Sequence, residues 1–324
     1  MLQSKGGILN SLIGHTGFVG HNLAAQCLFD ACFNSRTIEQ AAGRNFHRVV
    51  CAAAPGSMFE ANRHPQSDRE KIERLMLQLS RIGAEQFVLI STIAVLADFA
   101  ADDEDTRTFE ANLPYGLHRR MLEEFVLAHY PNALVARLPA LFGAGLTKNF
   151  LFDILNPMPS MLTAARIEAL GAALGSRFGM LAGTLYRFDP KLELWVIDRA
   201  TLAASSARTE LEDETSRLGF SAVQFTNRDS HFQYYGLDRL WDDISRSLAD
   251  GLRVVHLAPP PLRAADIYER LTGTQMPVTE AKLHRENMRT RHASLWGMEG
   301  SYLASEDDVR VAVDRFIRNE RAAA

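Results

Sequence analysis

The sequence predicts an α/β fold with a doubly wound parallel sheet and a second, smaller, mainly helical lobe. Short apolar runs alternate with segments of helical periodicity in the first half of the chain, and a glycine-rich turn follows the first apolar run. Such alternation is typical of a parallel sheet that helices cover on both faces. Between residues 160 and 216 the pattern changes to Ala- and Leu-rich helical segments, which predict the second lobe.

The predicted elements follow in chain order. Apolar runs predict strands in the first lobe over 8–13, 49–54, 87–90 and 133–138. Helical patterns lie between them over 68–79 and 117–127. The second lobe has one strand candidate over 192–197, and the strand-then-helix order returns over 231–248 and 252–271.

Composition indicates an ordinary globular chain. Its 324 residues, 47% hydrophobic and 23% charged, suffice for one large or two smaller domains. A net charge of −4 gives no basic footprint, so no nucleic-acid partner is expected. No apolar run approaches the ~20 residues of a membrane span, and residues 1–5 lack the apolar segment of a signal peptide. We therefore expect no membrane partner and a cytoplasmic location.

The three cysteines are Cys27, Cys32 and Cys51. Their spacing fits no metal-ligand motif, and their low, odd number fits a reducing compartment better than a disulfide framework. They are interpreted as small core residues. The acidic run 102–105 is interpreted as a solvated turn, and no metal site is predicted.

Glycines at 14, 17 and 20 have the spacing G-x-x-G-x-x-G, after a predicted strand and at the start of a helical pattern. Glycines there allow a tight turn and a close approach of the backbone to a pyrophosphate, whose charge a helix N-terminus favours. The pattern predicts a Rossmann-type dinucleotide site; the alternative is a glycine-rich turn without a ligand. The predicted contacts are Gly14, Thr16, Gly17, Phe18, Val19 and Gly20.

The order of the predicted elements divides the chain into domains. Residues 1–159 are predicted to be the dinucleotide-binding domain and 160–230 mainly the substrate lobe. Residues 231–271 return to the Rossmann domain, and 272–324 form the C-terminal part of the substrate lobe.

Two more segments carry chemistry: Ser91-Thr92 at a strand end, and the stretch from Tyr115 to Arg119. With the glycines they resemble the extended short-chain dehydrogenase/reductase family, also called the sugar-nucleotide epimerase/dehydratase family, over most of the chain. The resemblance implies that the Thr92 hydroxyl orients the substrate, with Ser91 beside it, and that Tyr115 transfers the proton.

Segments 50–54 and 137–143 also resemble that family. The first looks like a small-residue strand end that passes the cofactor, and the second like the segment after the catalytic helix. The resemblance implies that Ala53 and Pro139 contact the cofactor.

Position 119 departs from the family pattern, which has a lysine four residues after the tyrosine. A tyrosine with a pKa near ~10 is a poor base at neutral pH without a neighbouring cation. Arg119 lies one turn from Tyr115, keeps the charge and can lower the pKa of the phenol, but its planar fork cannot relay a proton. The alternative is that both are surface residues of an amphipathic helix. His118 is predicted to face another direction.

Substrate contacts are less well marked. Ala140 stands where the family commonly has an asparagine, and Asn149 is a nearby polar candidate that could equally cap a loop. Gln233 and Ser230 are further candidates, in an aromatic segment that core packing explains in large part.

Cofactor choice depends on the end of the second strand, at 33–36. An acid there accepts ribose hydroxyls, whereas a basic residue tolerates a 2′-phosphate. The segment has no carboxylate, and Arg36, assisted by Asn34 or Ser35, favours NADP. NAD stays open because Arg36 could be solvated.

The sequence therefore predicts an NADP-dependent oxidoreductase, with a reductase favoured, or an epimerase/dehydratase, acting on a hydroxyl or carbonyl of a sugar or nucleotide-linked sugar. Ile93 follows Thr92 where a dehydratase would have a carboxylate. The alternative is a catalytically weak NADP-binding regulatory or scaffold protein. The expected partner is a small-molecule substrate, and a homodimer is one open oligomeric state.

Overall fold

The computed structural model describes residues 9–323. Its strands are β1 (Asn10–Ile13), β2 (Ala31–Phe33), β3 (Asn45–Cys51), β4 (Gly83–Thr92), β5 (Ala133–Leu138), β6 (Ala140–Phe142), β7 (Met161–Leu162), β8 (Tyr186–Asp189), β9 (Leu194–Ile197), β10 (His231–Phe232), β11 (Tyr234–Gly236), β12 (Val254–His256) and β13 (Leu262–Arg263). Its α-helices are α1 (Phe18–Gln26), α2 (Met58–Arg63), α3 (Pro65–Leu79), α4 (Pro114–His129), α5 (Phe150–Leu155), α6 (Ala164–Leu185), α7 (Arg199–Ala203), α8 (Arg208–Arg217), α9 (Leu240–Ala249), α10 (Ala264–Thr272) and α11 (Glu306–Ala323). Residue 8 of the first predicted strand, and the segment 1–5, lie outside the described residues.

Six strands form a parallel sheet in the order β12-β5-β4-β3-β1-β2. β1 pairs with β2 on one side and with β3 on the other, so the direction of winding reverses at β1. In open parallel sheets, ligands bind outside the carboxyl ends of the strands at such a reversal. The glycine turn at 14–17 follows β1 directly and therefore lies at this point.

The core of the sheet has two covered faces. On one face, Val49 and Phe87 pack with Ile72 of α3 and Leu122 of α4. Strand neighbours point to opposite faces, and residues of the other parity are equally buried: Leu12, Val50, Val88 and Leu134. The continuous apolar runs that predicted these strands are what a sheet buried on both sides requires.

Prolines set the start of the two helices that flank the site. Pro65 and Pro114 occupy the first turns of α3 and α4, where a missing N–H costs no intrahelical bond. Both helices therefore begin about three residues before the predicted starts at 68 and 117. β3, by contrast, ends at Cys51, before the predicted end at 54.

The chain divides into two compact units. The first contains the residues up to Leu146, His231–Leu262 and Arg285–Phe316; the second contains Thr147–Ser230, Arg263–His284 and the residues from Ile317. Residues 147–159 and 263–271, assigned to the dinucleotide domain from the sequence, thus lie in the second unit. Residues 285–316, assigned to the substrate lobe, lie in the first.

The second unit has its own core. Leu170, Leu174 and Phe178 of α6 pack with Ile197 of β9 and Leu211 of α8. A small antiparallel sheet has the order β7-β9-β8. Helices make up the rest of its regular structure, as the Ala- and Leu-rich pattern predicted.

Only one of the three cysteines is a core residue. Cys51 is buried, Cys27 is partly buried, and Cys32 is exposed because it lies on the edge strand β2. Within residues 9–323, no helix has both the length and the apolar character of a membrane span. The same residues contain no group of three or more His, Cys, Asp or Glu side chains that could hold a metal ion.

Candidate active site

The three glycines of the turn differ in how much space a side chain would have at each position. Gly14 has φ +93°, and a Cβ on it would lie 2.6 Å from the carbonyl oxygen of Ala52. A Cβ on Gly20 would lie 2.1 Å from the carbonyl oxygen of Gly14, so α1 rests on the turn here. A Cβ on Gly17 would meet only the Gly14 oxygen, at 3.4 Å. Gly14 and Gly20 are therefore required by internal packing, whereas Gly17 borders open space.

The N-terminus of α1 is open to an anion. Gly17 is the N-cap residue and supplies no side chain to cap the first turn, which contains no acidic residue. The first N–H groups of a helix have no intrahelical partner, and the helix dipole favours negative charge there. Thr16 and Gly17 are exposed, and Phe18 and Val19 are partly buried. The predicted cofactor contacts of this segment thus surround a site suited to a phosphate.

The end of β2 lies beside this turn. The Phe33 carbonyl accepts the Gly14 N–H at 2.7 Å and lies 3.0 Å from Nδ1 of His15. Asn34 Oδ1 accepts the N–H of Arg36 at 2.9 Å, which shapes the turn after the strand. The Arg36 side chain is exposed, and its guanidinium makes no hydrogen bond or ion pair with the described residues. It is available to a ligand next to the glycine turn.

The neighbouring strands end at the same edge of the sheet. Ala52 and Ala53 follow the last residue of β3. The Ala52 N–H donates to the carbonyl of Ile13, the last residue of β1, at 2.8 Å. Thr92, the last residue of β4, pairs with Leu138, the last residue of β5, and the buried Pro139 comes next. The topology therefore brings Ala53, Thr92 and Pro139 to the edge that carries the glycine turn.

Tyr115 reaches this edge from the first turn of α4. The Thr92 hydroxyl is near enough to the Tyr115 phenol to lower its pKa, and the Tyr115 N–H donates to Oδ1 of Asn62 at 2.9 Å. Thr92 Oγ1 also accepts the Ala94 N–H at 3.2 Å, which fixes its position. The two hydroxyls that the sequence predicted to act together are thus side by side.

Arg119 lies next to Tyr115, as the four-residue offset predicted, but is also bound to a carboxylate. Its Cζ lies over the Tyr115 ring, 4.1 Å from the ring centroid. Its guanidinium donates to both carboxylate oxygens of Asp68, with Nη2–Oδ1 at 2.9 Å, and to the Pro55 carbonyl. Arg119 is 2% exposed, so it is also no surface residue. Its positive charge is paired with a carboxylate inside the protein.

The pKa of the Tyr115 phenol reflects this pairing. Burial raises it, the charge of Arg119 and the Thr92 hydroxyl lower it, and the charge of Asp68 raises it again. The net direction is upward from the ordinary value. Arg119 lowers the pKa of the phenol, as predicted, but burial has the larger effect and Asp68 adds to it, so the pKa of Tyr115 is raised overall.

Asp68 is the residue that the sequence analysis missed. It is buried on α3 and binds Arg119 and also His118, whose Nδ1 lies 2.8 Å from Oδ2. Burial alone would raise the pKa of Asp68, but the hydrogen bonds from Arg119 and His118 outweigh it and hold the pKa below its usual value. His118 and Arg119 thus share one partner, although they are adjacent on the helix. A signal existed: Asp68 shares the buried stripe of α3 with Ile72, Leu75 and Leu79.

The predicted substrate contacts are mostly engaged in internal bonds. Ser91 Oγ donates to Glu123 Oε1 at 2.6 Å. Gln233 is fully buried; its Nε2 donates to the carbonyls of Pro259 and Met288, and its Oε1 accepts the Met288 N–H. The polar atoms of both side chains are used in hydrogen bonds that tie segments of the first unit together.

Asn149 and Ser230, both in the second unit, are likewise structural. Asn149 is the N-cap of α5 at φ +102°, and its Oδ1 accepts the N–H groups of Leu151 and Phe152 at 3.0 and 3.2 Å. Ser230 is fully buried, and its Oγ accepts the His284 N–H at 3.0 Å. The helix-capping alternative for Asn149 describes what the structure shows.

Behind Ser91 lies a buried ionic network. Arg137 donates Nε and Nη2 to the two carboxylate oxygens of Glu123, at 3.0 and 2.7 Å, and its Nη1 lies 3.1 Å from Nε2 of His256. Burial lowers the pKa of His256, so its Nε2 accepts from Arg137 while Nδ1–H donates to the Arg289 carbonyl. These contacts connect α4 with the ends of β4, β5 and β12.

Glu104 extends that network from the acidic run that was interpreted as a solvated turn. Its Oε1 accepts from the His256 N–H and the Thr290 hydroxyl, and its Oε2 accepts the Arg291 N–H. For Glu104 the interpretation was wrong, because its partners are main-chain and hydroxyl groups distant in the sequence.

Solved structures share this fold across nearly the whole chain. MoeE5 in complex with UDP-glucose and NAD has a TM-score of 0.58 and 13% identity, with 98% of this chain and 100% of that chain covered. UDP-N-acetylglucosamine 4-epimerase from Methanobrevibacter ruminantium M1 has a TM-score of 0.60 and 9% identity, with 98% and 99% covered. dTDP-4-dehydrorhamnose reductase from Bacillus anthracis str. Ames, in complex with NADP, has a TM-score of 0.59 and 13% identity, with 98% and 100% covered. No family model and no curated protein sequence matches the chain. The likeness confirms the predicted Rossmann-type fold.

Proposed function

We propose that the protein is an NADP-dependent oxidoreductase, acting as a reductase on a carbonyl of a sugar or nucleotide-linked sugar. The observation that carries the proposal is the juxtaposition of the Thr92 and Tyr115 hydroxyls, at the sheet edge that also carries the glycine turn. Two hydroxyls that meet at one point can bind a single substrate oxygen and exchange a proton with it. The fold neighbours support the substrate class, since they include MoeE5 bound to UDP-glucose and a dTDP-4-dehydrorhamnose reductase.

The cradle at the glycine turn fits a dinucleotide. The open side of Gly17 and the uncapped first turn of α1 would hold the pyrophosphate, with Thr16, Phe18 and Val19 around it. Ala53 and Pro139, at the ends of neighbouring strands, would border the rest of the cofactor. Arg36, whose guanidinium is free of partners among the described residues, would bind a 2′-phosphate. NAD is the alternative, because the neighbours include a structure with NAD.

The chain's own residues then account for the proton. When bound, the reduced nicotinamide supplies hydride to the substrate carbon. Thr92 and Tyr115 orient the substrate oxygen, and the Tyr115 hydroxyl donates a proton to it. Arg119 holds the Tyr115 ring by stacking on its face and does not relay a proton, because its guanidinium stays protonated. We also propose that the protein is soluble and cytoplasmic and that it forms a homodimer. The proposed reaction does not depend on any of these properties.

Turnover of a keto sugar linked to UDP or dTDP tests the proposal. We expect NADPH to be oxidised only when the sugar is present, and the loss of nicotinamide absorbance measures this oxidation. Binding of NADPH without turnover of any such sugar would favour the alternative of a regulatory or scaffold protein. Conversion between epimers without net oxidation of the cofactor would favour an epimerase.

A further inference from the structure

The side chain of Tyr115 has few charged groups around it. Arg119 comes from its own helix and Asp68 from α3, and these two are the charged groups that act on the phenol. β4 contributes the neutral Thr92 hydroxyl, and α2 contributes the neutral Asn62 amide to the Tyr115 N–H. His118 touches Asp68 and not the phenol. Among the charged groups of the described residues, one cation and one anion therefore act on the Tyr115 phenol.

Arg119 and Asp68 form a single unit. The carboxylate accepts from both terminal nitrogens of the guanidinium, and both side chains are nearly inaccessible to water. Water and salt screen a buried pair little. The two opposite charges act on the phenol in opposite directions: Arg119 lowers its pKa and Asp68 raises it. The carboxylate therefore reduces the effect of the cation on a phenolate.

We propose that Asp68 is a positioning residue for proton transfer: its carboxylate neutralises Arg119, so that Tyr115 stays an uncharged phenol and serves as a proton donor in the reducing direction. The inference rests on the proposed function and adds to it the residue that selects between the two protonation states of Tyr115. The raised pKa of the Tyr115 phenol, caused chiefly by burial and increased by Asp68, agrees with it.

The proton transfer balances as follows. The O–H bond of Tyr115 breaks and a new O–H bond forms on the substrate oxygen, which changes from carbonyl to alcohol. The electron pair stays on the phenolate oxygen, which regains a proton from water. The two electrons of the reduction come with the hydride of a reduced nicotinamide, the class of co-reactant that the proposed function names.

A spectroscopic titration tests Asp68 without cofactor or substrate. The ultraviolet absorbance of tyrosinate is followed with pH in the unliganded protein and in its Tyr115→Phe variant, and the difference reports Tyr115 alone. In Asp68→Asn the unopposed charge of Arg119 should lower the pKa of Tyr115 by about one unit or more, the effect of an opposite charge at short distance. Asp213→Asn, which removes an exposed carboxylate of α8, is the control and should change nothing.

The double variant Asp68→Asn/Arg119→Met protects the test against misfolding of the single one. It removes the buried pair as a whole, and neutral replacements of similar size are generally tolerated. If the charges cancel in the native protein, the double variant should titrate Tyr115 within about half a unit of wild type, since a full unit is the effect of one unopposed charge. A rise of one unit or more would show that Arg119 acts unopposed, and would overturn the proposal.

A second readout separates this inference from the proposed function. The rate of reduction should be constant with pH until Tyr115 ionises and then fall, and in Asp68→Asn the fall should begin at lower pH. An unchanged Tyr115 titration in folded Asp68→Asn would overturn the role of Asp68 even if the enzyme turns over sugars. The expected titrations in a protein that reduces no carbonyl would overturn the proposed function, and the directional part of this inference with it.

Discussion

The guanidinium of Arg119 lies over the ring of Tyr115, with Cζ 4.1 Å from the ring centroid, and is held there by the carboxylate of Asp68. A lysine at this position would present a compact ammonium group, whereas the planar guanidinium stacks on the ring and forms two hydrogen bonds with one carboxylate. The contact fixes the orientation of the phenol toward Thr92. The pKa of the Tyr115 phenol is raised, chiefly by burial, so in the proposed function Tyr115 acts as a proton donor at neutral pH.

Replacing Arg36 tests the choice of cofactor. In Arg36→Ala the affinity for NADPH should fall roughly tenfold to a hundredfold, which corresponds to one lost charge-assisted hydrogen bond, and the affinity for NADH should change little. Titration by nicotinamide fluorescence measures both. Arg81→Ala, at another exposed arginine, is the control. Equal loss of both affinities in Arg36→Ala would mean that this side chain does not recognise the 2′-phosphate.

Two glycines of the turn should respond differently to substitution. In Gly17→Val the fold should survive, because a Cβ has room there, but the side chain should obstruct the pyrophosphate and abolish NADPH binding. In Gly20→Ala the Cβ would meet the Gly14 carbonyl oxygen at 2.1 Å, so the thermal stability itself should fall. Thermal unfolding and NADPH titration of both variants measure this contrast. Wild-type affinity in Gly17→Val would place the cofactor elsewhere.

The fold and the glycine turn could be predicted because their signals are local. The apolar runs of β3, β4 and β5 and the spacing of Gly14, Gly17 and Gly20 are visible in the sequence. The four-residue offset also placed Arg119 next to Tyr115 correctly. The partner of Arg119 could not be found in this way, because Asp68 is 51 residues distant and reaches it only when α3 packs on α4. The internal hydrogen bonds of Gln233 and Glu104 could not be predicted for the same reason, since both side chains bind main-chain groups of distant segments.

Glu286 should make stability depend on pH. Burial raises the pKa of its carboxyl to about 7 in the folded protein. A group whose pKa is raised on folding binds more protons in the folded state, so stability is highest at low pH and falls as pH rises from about 4.5 through 7. Glu286→Gln removes this loss. A pKa raised from 4.5 to about 7 corresponds to roughly 3 kcal/mol once the carboxyl is ionised. Since about 1 kcal/mol changes the unfolding temperature by roughly 2–4 °C in a large domain, the variant should unfold on the order of 6–12 °C higher than wild type at pH above 7.

The comparison at lower pH is the control for Glu286. At a pH near the ordinary pKa of a glutamate, the carboxyl is protonated in the folded protein and resembles the amide. The two proteins should then unfold at similar temperatures in calorimetry. A constant difference between them at all pH values would refute the assigned titration.

Removing one partner of the buried ion pair between Arg137 and Glu123 should lower the free energy of unfolding. Arg137→Met removes the bidentate partner of Glu123 and leaves the buried carboxylate with Arg120 and the Ser91 hydroxyl alone. Breaking a buried pair on one side typically costs about 3–5 kcal/mol, and the remaining contact to Arg120 should keep the loss toward the lower end. Adding Glu123→Gln should recover much of this loss, because the buried charge is then gone. Denaturant unfolding of the single and double variants measures both steps. A double variant no more stable than Arg137→Met alone would show that the pair does not determine the cost.

Turnover by Tyr115→Phe tests whether Tyr115 is the proton donor. The substitution removes the hydroxyl next to Thr92 and keeps the ring beneath Arg119. We expect NADPH affinity near that of wild type and a fall in kcat of roughly a hundredfold or more, the scale of general acid catalysis. Tyr268→Phe, on α10, is the control and should keep full activity. Wild-type turnover of a nucleotide-linked keto sugar by Tyr115→Phe would contradict the account, because the proton would then come from another group.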